Sequence, residues 1–407
     1  MVQSANSLHI SPDDVFGAIV NLKHIVLEVT DKCNLACKYC IYGENYAGFD
    51  SRLSQNMSFS MAKTLIDYLA DIWSKYPSRA QNPEVLVTFY GGEPLLNFRL
   101  IRQVVDYLDS LNINRVFKYS MTSNCLLLNR HMDYLVEKGF FLLCSLDGDK
   151  DSNGYRVFRD GSPSYDRVFA NICSLKNKYP DYFKTNVAFN AVLHKLNSLS
   201  GVYSFFERTF NKTPELAEVS GTGFKNENDY SRFDCGNILD QVSGLAKEKP
   251  LDNPIEQATR HFIISHSGNF FVNYLELFND SEETSFLTNT CTPFGNKMFV
   301  KVDGKLLPCE QIPHVFFFGQ IKDRDVLLDY EQICTRFNSY LDQVEKKCRT
   351  CAKQQLCDLC FYKIDGMDKG QPRCKSFFPA KKGTASRKLF YDYISQHPSI
   401  YKKALEQ

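Results

Sequence analysis

The chain has 407 residues, 43% of them hydrophobic and 23% charged, and a net charge of +1. This length predicts two or three soluble globular domains, and the balanced charge gives no field that would attract nucleic acid or an anionic membrane. No apolar run reaches transmembrane length, and residues 1–14 lack the pattern of a secretory signal. We therefore expect a cytoplasmic protein whose 15 cysteines are reduced thiols and metal ligands.

Strand and helix patterns alternate over residues 24–220. An apolar run predicts a first buried strand at 24–29, and further strands are predicted at 84–90, 115–121, 140–146, 185–193 and 216–220. The helices between them are predicted at 58–74, 100–111, 129–138, 164–178 and 198–210. Repeated β–α units imply parallel strands with helical crossovers. Ligands of such folds gather at the carboxyl ends of the strands.

Three cysteines directly follow the first predicted strand. Cys33, Cys37 and Cys40 have the spacing C-x3-C-x2-C, and three thiolates on one loop suit an iron–sulfur cluster. A closed four-iron cluster takes four cysteines, so one iron of this cluster would be open to a small molecule. A zinc loop or three unrelated buried thiols are the alternatives.

This loop resembles the cluster loop of radical S-adenosylmethionine (radical SAM) enzymes, in which Tyr39 fits the aromatic position before the third cysteine and is an expected cofactor contact. The resemblance implies an α/β fold with a partial (βα)6 barrel over residues 24–220. It also implies that SAM chelates the open iron through its amino and carboxylate groups. Electron transfer would then cleave SAM to a 5′-deoxyadenosyl radical, which abstracts hydrogen from a substrate.

A glycine-rich stretch after the second predicted strand, Gly91-Gly92-Glu93-Pro94, resembles the GGEP motif of this family. The resemblance implies that these residues bind SAM, with the amino group of SAM held at the motif. Glycines allow a backbone to approach a ligand closely, and a carboxylate accepts hydrogen bonds from an ammonium group. Taken alone, the same four residues would also make an ordinary turn.

Later strand ends provide weaker matches to the family. Asn124 lies in a stretch close to the family's Thr-Asn-Gly, and Ser145 and Arg156 follow the fourth strand. The resemblance implies that Ser145 contacts the ribose or carboxylate of SAM and that Arg156 pairs with a carboxylate. For all three, ordinary turn residues are the alternative. The family's His-Asp pair is replaced here by Asn153-Gly154.

A second group of cysteines follows a turn-rich connecting segment at 221–285. Its members are Cys291, Cys309, Cys348, Cys351, Cys357, Cys360 and Cys374. The pattern resembles the SPASM domain found on peptide-modifying radical SAM enzymes, here over 286–380, although two residues rather than three precede the sixth cysteine. A zinc ribbon built from the two C-x2-C pairs is the alternative.

The SPASM resemblance implies two auxiliary four-iron clusters in addition to the one that binds SAM. Cys291, Cys309 and Cys360 would hold one of them, and the remaining cysteines, Cys348, Cys351, Cys357 and Cys374, would hold the other. One iron of the first cluster would lack a cysteine from this set. A substrate thiolate could bind it, or Cys235, Cys334 or Glu310 could close the site. Glu310 is also the candidate catalytic base.

The combined pattern predicts a radical SAM maturase that forms a thioether or other crosslink in a ribosomal precursor peptide, using a flavodoxin- or ferredoxin-type electron donor. An N-terminal extension (1–23) and a C-terminal helix (381–407) flank its domains. An anaerobic sulfatase maturase is the first alternative, although Glu310 stands where those enzymes have aspartate and an eighth cysteine before Cys291 is missing. A non-catalytic metal-binding or electron-transfer protein is the second.

Overall fold

The computed structural model describes residues 9–50, 52–76, 83–221, 223–236, 259, 288, 290–351, 357, 359–375, 377 and 392–400. Its strands are β1 His24–Thr30, β2 Glu84–Gly91, β3 Val116–Ser123, β4 Phe141–Ser145, β5 Val187–Leu193, β6 Glu215–Glu218, β7 Met298–Val300, β8 Lys305–Leu307, β9 Gly319–Lys322 and β10 Asp325–Leu327. Its helices are α1 Pro12–Val20, α2 Phe59–Lys75, α3 Phe98–Ser110, α4 Leu128–Glu137, α5 Tyr165–Lys178, α6 Pro180–Asn186, α7 Leu199–Phe210, α8 Glu227–Tyr230 and α9 Tyr330–Cys348.

The chain divides into two compact units. The larger unit, called here the barrel unit, holds the described residues of 12–235 and 293–333. The smaller unit, called here the cysteine-rich unit, holds those of 1–11, 236–292 and 334–407. The predicted SPASM region, 286–380, therefore contributes to both units.

One ten-stranded sheet forms the barrel unit, in the order β10-β9-β8-β7-β1-β2-β3-β4-β5-β6. The strands β1 to β6 are parallel neighbours in chain order, and β7 runs parallel to β1 on its other side. The remaining strands, β8 to β10, extend this edge in antiparallel pairs. The α/β fold with an open parallel sheet that the sequence predicts is confirmed.

The faces of the sheet differ in burial because side chains alternate along each strand. On β2, Val85, Val87 and Phe89 are buried on one face, whereas Thr88 and Tyr90 on the other face are half-buried. Full burial of each apolar side chain of this size contributes about 1.5–3 kcal/mol to folding. The second face also has polar partners, since Thr88 Oγ1 lies 2.5 Å from Ser120 Oγ on β3.

Two parts of the prediction differ from the structure. The strand predicted at 185–193 begins at Val187, because residues Pro180–Asn186 form a helix that starts with proline, a favoured first helical residue. The strands β7 to β10 were not predicted, since they are too short to show a period in the sequence. The predicted terminal segments are described at 9–23, where α1 lies, and at 392–400.

Candidate functional site

Cys33, Cys37 and Cys40 lie on the loop after β1, at the carboxyl edge of the parallel strands, and all three are half-buried. Backbone hydrogen bonds fix one side of the loop, with Ala36 N donating to Val157 O at 2.8 Å and Lys38 N donating to Tyr155 O at 3.0 Å. The three thiols are close enough for their charges to interact. The structure therefore brings the predicted cluster ligands together on an ordered loop.

Burial disfavours the ionised forms of Cys33 and Cys37 and raises the pKa of Cys37 to about 12. Thiolates in such surroundings need a positive partner, which bound iron supplies. Among the described residues, no three His, Cys, Asp or Glu side chains converge on a single metal ion. In a four-iron cluster each cysteine binds its own iron, so the loop need not converge on one point. Its donor set and burial fit the cluster.

Gly91 and Gly92 lie directly against the opposite side of the cysteine loop. Gly92 N donates to Thr30 O at 2.9 Å, and Glu93 N donates to Lys32 O at 2.8 Å. A Cβ on Gly91 would lie 2.1 Å from Thr30 O, and one on Gly92 would lie 1.9 Å from Lys32 O. The need for glycine at these two positions thus comes from the close approach of two backbone segments, in addition to any ligand.

Glu93 is buried just beyond the cysteine loop. Its carboxylate accepts hydrogen bonds from Ser123 Oγ at 2.9 Å, Asn124 N at 2.8 Å and Leu95 N at 3.2 Å. Burial raises the pKa of Glu93 to about 7, although these three hydrogen bonds favour the charged form. No described cation contributes to this shift, so an ammonium group would supply the missing positive charge. Glu93 fits the predicted SAM contact.

Two of the weaker candidates lie at neighbouring strand ends. Asn124 follows β3, and its Nδ2 donates to Asn34 Oδ1 at 2.7 Å and contacts Cys33 Sγ at 3.9 Å. Ser145 ends β4 beside Asn190 of β5 and is half-buried. Asn124 therefore contacts the cysteine loop directly. Pro94 starts a short 3-10 helix at the same edge.

Tyr39 and Arg156 share a buried partner, Asp147. The Tyr39 hydroxyl donates to Asp147 Oδ2, Arg156 Nη2 donates to Oδ1 at 3.0 Å, and His194 Nε2 lies 3.4 Å from Oδ2. Burial opposes ionisation of Asp147, but the charge of Arg156 and the hydrogen bonds lower its pKa to about 2.

Asp147 lies two residues after Ser145 and was not among the predicted site residues. Only its contacts reveal that it links the β4 end to the cysteine loop. Arg156, predicted to pair with a cofactor carboxylate, pairs here with Asp147. Its Nε has no hydrogen-bond partner among the described residues.

Glu310, the candidate base, forms an ion pair with Lys297. Lys297 Nζ lies 3.1 Å from Oε1 and 3.3 Å from Oε2 of Glu310. Burial opposes ionisation, but the charge of Lys297 keeps the pKa of Glu310 below its ordinary value. A carboxylate held ionised in this way is a weak proton acceptor. The neighbouring thiol, Cys309 Sγ, lies 3.5 Å from Glu310 Oε2.

A cavity of about 70 Å³ in the cysteine-rich unit is lined by all four cysteines predicted to hold one auxiliary cluster: Cys348, Cys351, Cys357 and Cys374. Apolar side chains, among them Val344, Ile364 and Phe377, form much of the remaining wall. Burial and the three neighbouring thiols raise the pKa of Cys348 to about 12. Four thiols around one apolar cavity suit a cluster of the predicted kind.

Cys291 and Cys360 also belong to the cysteine-rich unit, where their charges interact. Next to them, Phe361 N donates to Thr290 Oγ1 at 2.7 Å. Cys309 belongs to the barrel unit, so its grouping with these two cysteines stays a prediction. Of the alternative ligands, Cys334 is buried in the cysteine-rich unit and Cys235 belongs to the barrel unit.

Residues 27–197, which hold the end of β1, the three-cysteine loop and the strands β2 to β5, match the model of the Radical SAM superfamily. The chain carries a radical SAM domain. The predicted resemblance to radical SAM enzymes is confirmed, and this superfamily implies SAM and one four-iron cluster as cofactors. Among the described helices of the protein, none combines the length and apolar character needed to span a membrane.

Two curated relatives are similar in sequence to this chain. The radical SAM cyclopropyl synthase TigE of Paramaledivibacter caminithermalis is 26% identical over 319 residues, which cover 76% of this chain and 61% of that protein. The serine-type anaerobic sulfatase-maturating enzyme of Bacteroides thetaiotaomicron is 28% identical over 152 residues, or 35% of this chain and 34% of that enzyme. The chain thus spans between a third and three fifths of the length of these relatives.

The likeness to solved structures extends beyond residues 27–197. Native anSMEcpe with bound AdoMet has a TM-score of 0.62 at 19% identity, covering 95% of this chain and 100% of that chain. The same protein with AdoMet and the Kp18Cys peptide has a TM-score of 0.61 at 18% identity, covering 94% and 99%. At this identity the likeness establishes a shared fold.

Proposed function

We propose that this radical SAM protein is a maturase that modifies a peptide, most simply a ribosomally made precursor peptide. One combination of features supports the proposal. The cysteine loop contacts Glu93, a buried carboxyl with no cation beside it among the described residues, and a cavity in the cysteine-rich unit is lined by four further cysteines. An electron carrier needs no binding group for an ammonium ion. The name of one relative, a sulfatase-maturating enzyme, also favours chemistry on a protein.

Different residues of the barrel unit would hold the iron–sulfur cluster and SAM. When bound, the cluster and SAM supply a 5′-deoxyadenosyl radical that abstracts hydrogen from the substrate. Cys33, Cys37 and Cys40 would ligate the cluster, and Glu93 would accept hydrogen bonds from the SAM ammonium group. The hydrogen bond from the Tyr39 hydroxyl to Asp147 keeps the cysteine loop in its orientation. A closed barrel mouth would exclude water and oxygen from so reactive a species.

A thioether or another crosslink is the product that we propose. On the sequence grouping, the auxiliary cluster of Cys291, Cys309 and Cys360 has one iron without a cysteine from this set, and a substrate cysteine could bind there as a thiolate. If another ligand closes that iron, a carbon–carbon or carbon–oxygen product is equally consistent. The similarity to a cyclopropyl synthase favours a carbon–carbon bond in that case.

A sulfatase maturase is the second candidate, favoured by the sequence relative and by the shared fold. Such an enzyme oxidises a cysteine or serine to formylglycine and needs a proton acceptor. Glu310 stands at the corresponding position but is paired with Lys297. This pairing weakens Glu310 as a base, so the candidate ranks below the crosslinking maturase.

Anaerobic reconstitution with iron and sulfide, followed by SAM and dithionite, tests the proposal. We expect 5′-deoxyadenosine to form, and we expect its formation to be lost when Cys33, Cys37 and Cys40 are replaced together by alanine, while iron at the other cysteines remains. Undiminished SAM cleavage in that triple variant would refute the ligand assignment.

Mass spectrometry of a modified cysteine-containing peptide distinguishes the products. A thioether removes two hydrogens and leaves the crosslinked cysteine resistant to alkylation, whereas formylglycine reacts with a hydrazine reagent. A crosslink in which every substrate cysteine can still be alkylated would exclude the thioether.

A further inference from the structure

A guanidinium group lies against the sulfur atoms of the three-cysteine loop. Arg52 Nη2 is 3.7 Å from Cys40 Sγ, and the charges of Cys40 and Cys33 both interact with Arg52. Sulfur accepts hydrogen bonds weakly when neutral, and charge-assisted bonds are stronger. Arg52 is therefore placed to interact with whatever negative charge these sulfur atoms hold.

The position of Arg52 is fixed by the chain around it. Its guanidinium lies over the ring of Tyr42, 4.8 Å from the ring centroid. On one side, Leu53 N donates to Asp31 Oδ2 at 2.7 Å and Gln55 N donates to Asp31 Oδ1 at 2.6 Å. Asp31 itself lies two residues before Cys33, so Arg52 and the cysteine loop share one anchor.

On the other side of Arg52, Asp50 is anchored to the β7–β8 hairpin. Lys305 Nζ lies 2.8 Å from Asp50 Oδ2, and Lys301 forms a second ion pair with the same atom. Asp50 N also donates to His314 Nδ1 at 2.9 Å. Because the backbone on both sides of Arg52 is anchored, Arg52 loses little further conformational entropy when its side chain contacts a cluster.

The other arginines near the loop bind different atoms. Arg159 Nη2 donates to the carbonyl oxygen of Cys33 at 3.1 Å, and Arg156 pairs with Asp147. Among the hydrogen bonds of the described residues, the bond from Arg52 Nη2 to Cys40 Sγ is the one in which a cation donates to a sulfur atom of this loop. The charge of Arg156 also interacts with Cys37, but the guanidinium of Arg156 is hydrogen-bonded to Asp147. Arg52 hydrogen-bonds a ligand sulfur, whereas Arg159 hydrogen-bonds a backbone oxygen.

We infer that Arg52 is a positioning residue that raises the reduction potential of the cluster bound by Cys33, Cys37 and Cys40. The inference rests on the proposed function. Adding an electron makes the cluster more negative, so a fixed positive charge and a hydrogen bond at its sulfur atoms favour the reduced form. Arg52 lies 12 residues beyond Cys40, outside the radical SAM motifs of this chain, so those motifs do not assign it this role.

Redox titration of the reconstituted protein with dithionite, followed by electron paramagnetic resonance, tests the inference. The SAM-binding cluster is identified as the signal that changes when SAM is added. In Arg52→Gln we expect this cluster to be reduced about tenfold less readily, which is about 59 mV lower in midpoint potential for a one-electron couple. In Arg52→Lys, which keeps the charge, we expect a smaller shift in the same direction.

Two controls make the result specific. Arg159→Gln removes a guanidinium that contacts the same loop at a backbone oxygen, and the midpoint potential of the SAM-binding cluster in this variant should stay at the value of the unaltered protein. The auxiliary clusters, whose signals do not respond to SAM, should keep their potentials in every variant. An unchanged potential in Arg52→Gln, or equal shifts in Arg52→Gln and Arg52→Lys, would overturn the inference.

Loss of the cluster is also informative. If Arg52→Gln binds no iron at the loop but Arg52→Lys does, with a small negative shift, the charge is required and the inference stands. If neither variant binds iron while Arg159→Gln does, Arg52 is needed for assembly and the inference fails. If the unaltered protein shows no SAM-dependent signal, the proposed function fails first and the inference with it.

Discussion

The hydroxyl of Tyr39 donates a hydrogen bond to the carboxylate of Asp147 across 108 residues of sequence. Asp147 also binds Arg156 Nη2 and accepts from Val192 N, both at 3.0 Å. The carboxylate therefore connects the cysteine loop to the ends of two strands, β4 and β5. Because Asp147 and Arg156 are both buried, each provides the opposite charge that the other needs.

Replacing Asp147 by asparagine should destabilise the fold and loosen the cysteine loop. The variant leaves Arg156 as a buried cation without its anion, and breaking a buried pair in this way costs about 3–5 kcal/mol. We expect a lower free energy of unfolding in denaturant titrations and less iron bound at the loop. Asp133→Asn, which breaks the exposed pair with Lys178, is the matched control. Equal losses in the two variants would contradict the structural role of Asp147.

Replacing Glu93 by glutamine should weaken SAM binding about tenfold to a hundredfold. The change removes the charge, and a hydrogen bond to a charged group contributes about 1.5–3 kcal/mol. The amide oxygen can still accept from Ser123 Oγ and Leu95 N, whereas the amide nitrogen replaces the oxygen that accepts from Asn124 N. Titration calorimetry of the reconstituted protein measures the affinity. Glu84→Gln, at the exposed start of β2, should leave the affinity unchanged. An unaltered affinity in Glu93→Gln would assign Glu93 to the turn alone.

SAM affinity should also depend on pH through Glu93. Burial raises the pKa of this carboxyl to about 7 in the folded protein, above the unfolded value of about 4.3. The protonated form cannot accept the ammonium group as an anion, so affinity should fall as the pH drops below about 7. The same shift disfavours folding without SAM, and this penalty grows as pH rises from the unfolded to the folded pKa. Affinity that falls equally with pH in Glu93→Gln would exclude Glu93 as the titrating group.

The cavity of the cysteine-rich unit should bind iron and not zinc. Replacing Cys351 and Cys357 by alanine removes two of its four thiols, and we expect the loss of about four irons per chain, one cluster. Metal analysis of the purified protein measures this loss. Cys173→Ala, on α5 in the barrel unit, should change nothing. Zinc in place of iron in the unaltered protein would support the zinc ribbon instead.

Local sequence determined the cysteine loop, the Gly-Gly-Glu-Pro motif and the order of β1 to β6. Each of these depends on residues that are close in the chain: thiols three or four positions apart, glycines beside a strand, and apolar residues at the period of a strand or helix. Such patterns predict local conformation and donor chemistry. They predicted the radical SAM domain because its ligands lie on one short loop.

Tertiary structure alone decided the contacts that hold this loop in place. Asp147 reaches Tyr39 only because parallel strands bring their carboxyl ends to one edge of the sheet. Position 92 requires glycine because the oxygen of Lys32 lies where a Cβ atom would be. The ion pair of Glu310 with Lys297 also depends on a turn between β8 and β9 that no sequence period indicates. These roles arise from packing between distant segments, so the residues themselves carry no local sign of them.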